Sequence, residues 1–159
     1  MSNEPVWDNE KGELRILGQR HTAIDVQALC NHLDALTGPK VSEVIMHSLE
    51  FHLGKSDAAR HKAANPNDTL TKLVAYLAKS DRLSGLGITN VTLPDTPLTS
   101  PITIEISNPS VKGTTGAAKS FLFSWWAGAM SSLLDREMDA RDVLYDEDNN
   151  VMKCKLTTR

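Results

Sequence analysis

The stretch from Lys119 to Leu134, KSFLFSWWAGAMSSLL, constrains this chain more than any other part of it. It is the longest mainly apolar run in the sequence. Phe121, Trp125, Gly128 and Ser132 fall on one side at helical spacing, and Leu122, Trp126, Met130 and Leu133 on another. Such a helix is apolar nearly all round and has to be buried. At about 1.5 Å per residue it rises roughly 24 Å, short of the ~30 Å hydrocarbon core of a bilayer. Charged residues bound it at Lys119 and Asp135, and no other stretch is long enough to span, so it reads as the central helix of a soluble domain. Ser124, Ala127, Gly128 and Ala129 leave little side-chain volume among bulky aromatics. A neighbouring backbone, a partner subunit or a ligand must therefore come close there.

A chain of 159 residues is one domain by size and can bury a sizeable core. The 17 Lys and Arg against 20 Asp and Glu leave a net charge of -3. Neither sign forms a long block, and the basic stripe with exposed aromatics that a nucleic-acid binder carries is missing. The N-terminus has no basic segment followed by an apolar one, so no signal peptide is expected. Cys30 and Cys154 stand far apart, one in a helical pattern and one in a strand pattern. That is no disulfide framework, and a reducing cytoplasm is the simpler setting.

Taken in order, residues 1–13 are mostly polar and read as a flexible arm, with a single domain over 14–159. Leu14 to Leu17 form a short strand or an ordered lead-in. A first helix runs from about Ala23 to Leu36, capped by Thr22 or Asp25 and ended by Gly38-Pro39; Ile24, Ala28, Leu29, Leu33 and Leu36 make its apolar stripe. A second starts near Val41 and reaches at least Leu53, with Val41, Val44, Ile45, Leu49 and Leu53 as its stripe. Gly54 to Asp68 reads as a partly helical extension running into a loop. Asp68 is the expected N-cap of a third helix, Thr69 to Leu83, whose inner face is Leu70, Leu73, Val74 and Leu77. The period then changes from 3.6 to 2. Ile88 to Leu93 and Ile102 to Ile106 make one strand pair, and Asp139 to Asp146 with Val151 to Thr157 make a second around an acidic turn. Helices, hairpin, helix, hairpin predicts an α+β fold, a four-stranded antiparallel sheet packed against helices.

The chain resembles the 4-vinyl reductase domain, whose fold is shared by the small subunits of the TRAPP tethering complex. The residues that carry the resemblance are Leu36-Thr37-Gly38 at the end of the first helix, Gly85-Leu86-Gly87 before a strand, and Ile104-Glu105-Ile106-Ser107-Asn108-Pro109. The fourth element is Phe121-x-x-Ser124-x-x-Ala127-Gly128 followed by Leu133-Leu134-Asp135-Arg136. The resemblance implies a binder of small hydrophobic, aromatic or acyl molecules that forms a homodimer. It also implies a pocket between the central helix, the helix before the first hairpin and the sheet. On those elements the residues to line it are Leu73, Tyr76, Leu77, Phe121, Trp125, Trp126 and Met130. Many members bind zinc through a Cys before the central helix and a Glu-x-x-Cys…Cys array. Here those places hold Lys119 and Asp142-Val143-Leu144-Tyr145, with only Cys154 left, so no metal and no cofactor is expected. As the chain closes at Arg159, no DNA-binding or ATPase module is expected in cis.

No catalytic residue stands out. His47 and His52 are five apart, which is not the i, i+4 spacing of a helical metal pair, and His52 beside the apolar stripe reads as a core histidine. Asp146-x-Asp148-x-Asn150 has the start of a calcium loop but Val151 where the glycine belongs, and reads as a solvated turn. The leading function is a stand-alone, non-enzymatic ligand-binding or sensing module, with Tyr76, His52 or Ser124 as polar handles. The alternatives are a TRAPP-like interaction subunit or an accessory protein in tetrapyrrole metabolism. An enclosed apolar cavity above about 300 Å³ favours the first, and a filled core with a large exposed apolar face the second.

Overall fold

A computed structural model of the chain describes residues 6–8, 13–16, 19–21, 24–97 and 99–159. Three short strands come first: β1 (Val6–Asp8), β2 (Glu13–Ile16) and β3 (Gln19–His21), paired antiparallel in that order. Of the arm expected over 1–13, β1 and the start of β2 are described, and the rest lies outside the described residues. Three helices follow, α1 (Val26–Thr37), α2 (Pro39–Ala64) and α3 (Leu70–Leu83), then strands β4 (Ile88–Thr92) and β5 (Ile102–Ser107). Helix α4 (Gly116–Leu134) and the pair β6 (Met138–Asp146) and β7 (Val151–Thr158) complete the chain.

The last four strands form one antiparallel sheet in the order β4-β5-β7-β6. Its alternation follows the sequence: Ile102, Ile104 and Ile106 on β5 and Met152, Cys154 and Leu156 on β7 are all buried against α4. The opposite face is wet and paired across strands, Lys153 with Glu105 at 2.8 Å and Lys155 with Asp142 at 3.1 Å. This is the α+β, helix-covered antiparallel sheet that the order of elements predicts.

α4 is the centre of the molecule. Its inner side chains, from Leu122 to Leu133, join the core formed with the sheet and α3. A second, smaller cluster gathers Cys30, Met46, Val111, Ala117 and Ala118 under α1. The N-terminus of α4 is satisfied from another helix, because Asp34 of α1 accepts the Ala117 amide at 2.9 Å and also takes the Ser42 hydroxyl. Thus one carboxylate does the work of a cap and joins three helices.

Several expectations need correction, the apolar stripe of α1 among them, since Ile24 is 58% and Leu36 68% exposed and the buried residue of that helix is Cys30. Thr69, not Asp68, caps α3, its hydroxyl facing the Lys72 amide. The segment expected to fade into a loop after Leu53 is helix through Ala64. Most consequential, the aliphatic stripe of α2 does not face the core: Val44 is 67% and Leu49 50% exposed, and Val41, Ile45 and Leu53 are exposed beside them. The buried row is Ser42, Met46, Glu50, Gly54 and Ala58.

The reason is how closely α2 and α4 run. A Cβ on Gly54 would collide with the Trp125 carbonyl, and one on Gly128 with the Phe51 carbonyl. Each helix thus presses its backbone onto a glycine of the other, and only small side chains fit the seam. Ties along the seam fix the register, with Lys119 to Glu43 at 2.7 Å near the two N-termini and Lys62 to Asp135 at 3.1 Å near the C-termini. The small residues of the central helix are there to admit a neighbouring backbone.

Candidate functional site

Beside α4, at its junction with α2 and α3, lies a cavity lined by Glu50, Asp81, Leu86, Phe121, Leu122, Trp125 and Trp126. On α4 the positions 121/125 and 122/126 are i, i+4 pairs, so two adjacent ridges of the same helix make one wall. The indoles of Trp125 and Trp126 meet edge to face, centroids 5.3 Å apart and planes at 78°, forming an aromatic corner. Trp126 is fully buried, whereas Trp125, Phe121 and Leu86 are half-buried and make the rim. The cavity volume is about 20 Å³, room for about one water molecule. That is far below the ~300 Å³ set as the mark of a ready ligand pocket.

Two acids face this small apolar space. Asp81, 3% exposed, continues the Leu73–Leu77 row of α3. Its Oδ2 accepts the Trp126 indole N–H at 2.8 Å and the Thr89 hydroxyl at 2.6 Å, joining α3, α4 and β4. Both bonds fall on Oδ2, which leaves Oδ1 without a partner among the described residues. Burial pushes the carboxyl up to about 6 against the pull of those two donors. Glu50, 8% exposed, comes from the buried row of α2 and has no hydrogen-bond partner among the described residues. Burial first, and the neighbouring Asp57 second, push it up to about 7. No lining residue is basic.

The seven residues singled out from sequence are divided by the fold. Phe121, Trp125 and Trp126 line the cavity. Leu73, Leu77 and Met130 are buried in the main core. Tyr76 stacks on His61 with ring centroids 3.6 Å apart and planes within 10° of parallel, away from the cavity lining. Glu50, Asp81, Leu86 and Leu122 were not foreseen as its lining. The available signal was an acid at an i+4 step in an otherwise buried row, after Leu73 and Leu77 in one case and between Met46 and Gly54 in the other.

Of the polar handles considered, Ser124 is buried and shares a hydrogen bond of 2.8 Å with His47 Nδ1 across the α2–α4 seam. His52 is exposed, not a core histidine, its ring nitrogen held on the Ser48 carbonyl. Both cysteines are free and buried, their thiols pushed up by burial, and so act as small apolar side chains. Among the described residues no three His, Cys, Asp or Glu side chains converge as metal ligands would, and no described helix is long and apolar enough to cross a membrane.

A sheet of this order with a buried central helix beside an aromatic, acid-bearing cavity defines the class: an α+β domain built around one helix. Among solved structures the chain is similar to the phenol-responsive sensory domain of the transcription activator PoxR, determined with phenol. The TM-score is 0.73 at 13% identity, over 96% of this chain and 84% of that one. It is also similar to a vinyl-4-reductase family protein from Methanocaldococcus jannaschii, with a TM-score of 0.51 at 15% identity over 87% and 84% of the two chains. At such identities the likeness is one of fold, and the fold is that of the 4-vinyl reductase domain. No family model matches the sequence, and no curated protein matches it.

Proposed function

We propose that this chain is a non-enzymatic sensing or binding module for a small aromatic or hydrophobic molecule, taken up beside α4, and that it works as a homodimer. The observation that carries the proposal is Glu50: an acid in the buried row of α2, 8% exposed as a residue, that lines the cavity beside the aromatic corner and has no hydrogen-bond partner among the described residues. Such a group costs stability once it ionises, and acids of that kind are commonly kept for binding or chemistry. The solved likeness to a phenol-responsive domain supports the same reading. As it stands, the cavity takes about one water. An aromatic ring enters when the half-buried Trp125 or Phe121 at the rim swings outward.

Titrating phenols, fatty acids and porphyrins while following tryptophan emission tests this directly, because Trp125 and Trp126 are in the wall. A saturable change that is weakened at least tenfold by Trp125→Ala supports it. The sensing reading fails if no compound shifts the emission and Trp125→Ala alters stability alone.

A second reading has its own observation. The outward stripe of α2, with the exposed Leu36 just before it in sequence, is an aliphatic face of the sort that marks protein contacts. With the cavity so small, an interaction subunit in the TRAPP manner would use that face for a different protein. A homodimer uses it isologously, each α2 against its copy.

A further inference from the structure

Resting on that reading of the cavity, we infer that the ligand is a primary organic amine in its ammonium form, its charged head seated between Glu50, Asp81 and the Trp125–Trp126 corner and an aromatic or apolar tail leaving past Phe121. Three observations converge. The polar groups of the lining are two carboxylates, both acceptors, with no Lys, Arg or His to receive a phenolate, a carboxylate or a phosphate. Glu50, 8% exposed as a residue, lines the cavity with neither oxygen bonded among the described residues, and Asp81 beside it has Oδ1 to spare. Two indoles in edge-to-face contact, with a phenyl ring beside them in the same lining, supply aromatic surface of the kind that attracts a cation.

Size selects among cations. The open space is that of about one water molecule, and an –NH3+ head is close to water in bulk, whereas a trimethylammonium head is several times larger. Three N–H donors match the acceptors that the wall provides. The electrostatics agree: burial holds both carboxyls above their ordinary values, so a cation arriving there restores an ionised pair that the empty site disfavours. A neutral phenol can give one hydrogen bond but brings no compensating charge.

The test uses the full chain with 2-phenylethylamine and its uncharged counterpart 2-phenylethanol near neutral pH, following tryptophan emission and heat of binding. The amine is expected to bind about tenfold or more tightly than the alcohol, and Glu50→Gln is expected to remove most of that preference. Equal affinity for the two, or an amine preference that survives Glu50→Gln in a folded variant, overturns the inference. Phenol or the alcohol binding where the amine does not overturns it while leaving the sensing reading intact. No binding by the amine overturns the inference, and the sensing reading is then decided separately by the titration of phenols, fatty acids and porphyrins. The amine-to-alcohol ratio of the unmodified chain decides the matter even if the variant does not fold.

Discussion

Glu50 and Asp81 make the stability of this protein depend on pH in a direction opposite to that of a salt-bridged carboxylate. Glu50 rises from 4.5 to about 7 and Asp81 from 3.8 to about 6 on folding, in both cases chiefly through burial. The folded chain therefore holds these protons more tightly than the unfolded chain does. Stability from this source is complete below the unfolded values and is lost as pH rises through the folded ones. For Glu50 the loss amounts to up to about 3 kcal/mol on passing from acid to mildly alkaline solution. Urea denaturation across pH 5 to 8 is expected to show the midpoint falling. Glu50→Gln should flatten most of that slope, leaving Asp81's share at the acid end. A midpoint that climbs over this interval contradicts the assignment.

At the scale of elements, the molecule depends on how near α2 and α4 can come. The glycines at 54 and 128 each receive the other helix's backbone, so a methyl at either site has only main chain to displace. Gly54→Ala and Gly128→Ala are each expected to destabilise by about 3 kcal/mol or more, even though alanine is the better helix former. Chemical denaturation measures this. A neutral or stabilising Gly54→Ala would mean that the helices are not in backbone contact. The same approach shapes the cavity, since it brings Glu50, four residues before Gly54, to the wall that Trp125 and Trp126 provide.

At the scale of the whole molecule, the same seam turns the aliphatic side of α2 outward. Leu49, at 50% exposure, lies within this stripe, between Ile45 and Leu53. If two copies bury it against each other, sedimentation equilibrium finds a dimer for the unmodified chain, and Leu49→Glu shifts it to monomer with little change in the fold. A chain that is monomeric at tens of micromolar before any substitution rules out the homodimer and favours a different partner for the face.

The sequence by itself determined the local periods and their punctuation. The central helix was legible because an apolar run of that length has no option but burial, and β5 and β7 because strict alternation tells which face is wet. Antiparallel pairing followed from short connections, and Phe121, Trp125 and Trp126 could be named because aromatics on a buried helix must meet something. What only the tertiary structure decided is which side of α2 is inside. Binary patterning favours the aliphatic row, but helices in backbone contact bury their smallest residues, so Ser42, Gly54 and Ala58 went in and Val44 and Leu49 stayed out. Glu50 entered with that row, and Asp81 met Trp126 and Thr89 from two other elements. The two acids are far apart along the chain and line one cavity only because long-range packing brings their helices to the same indoles, a relation that no local period encodes.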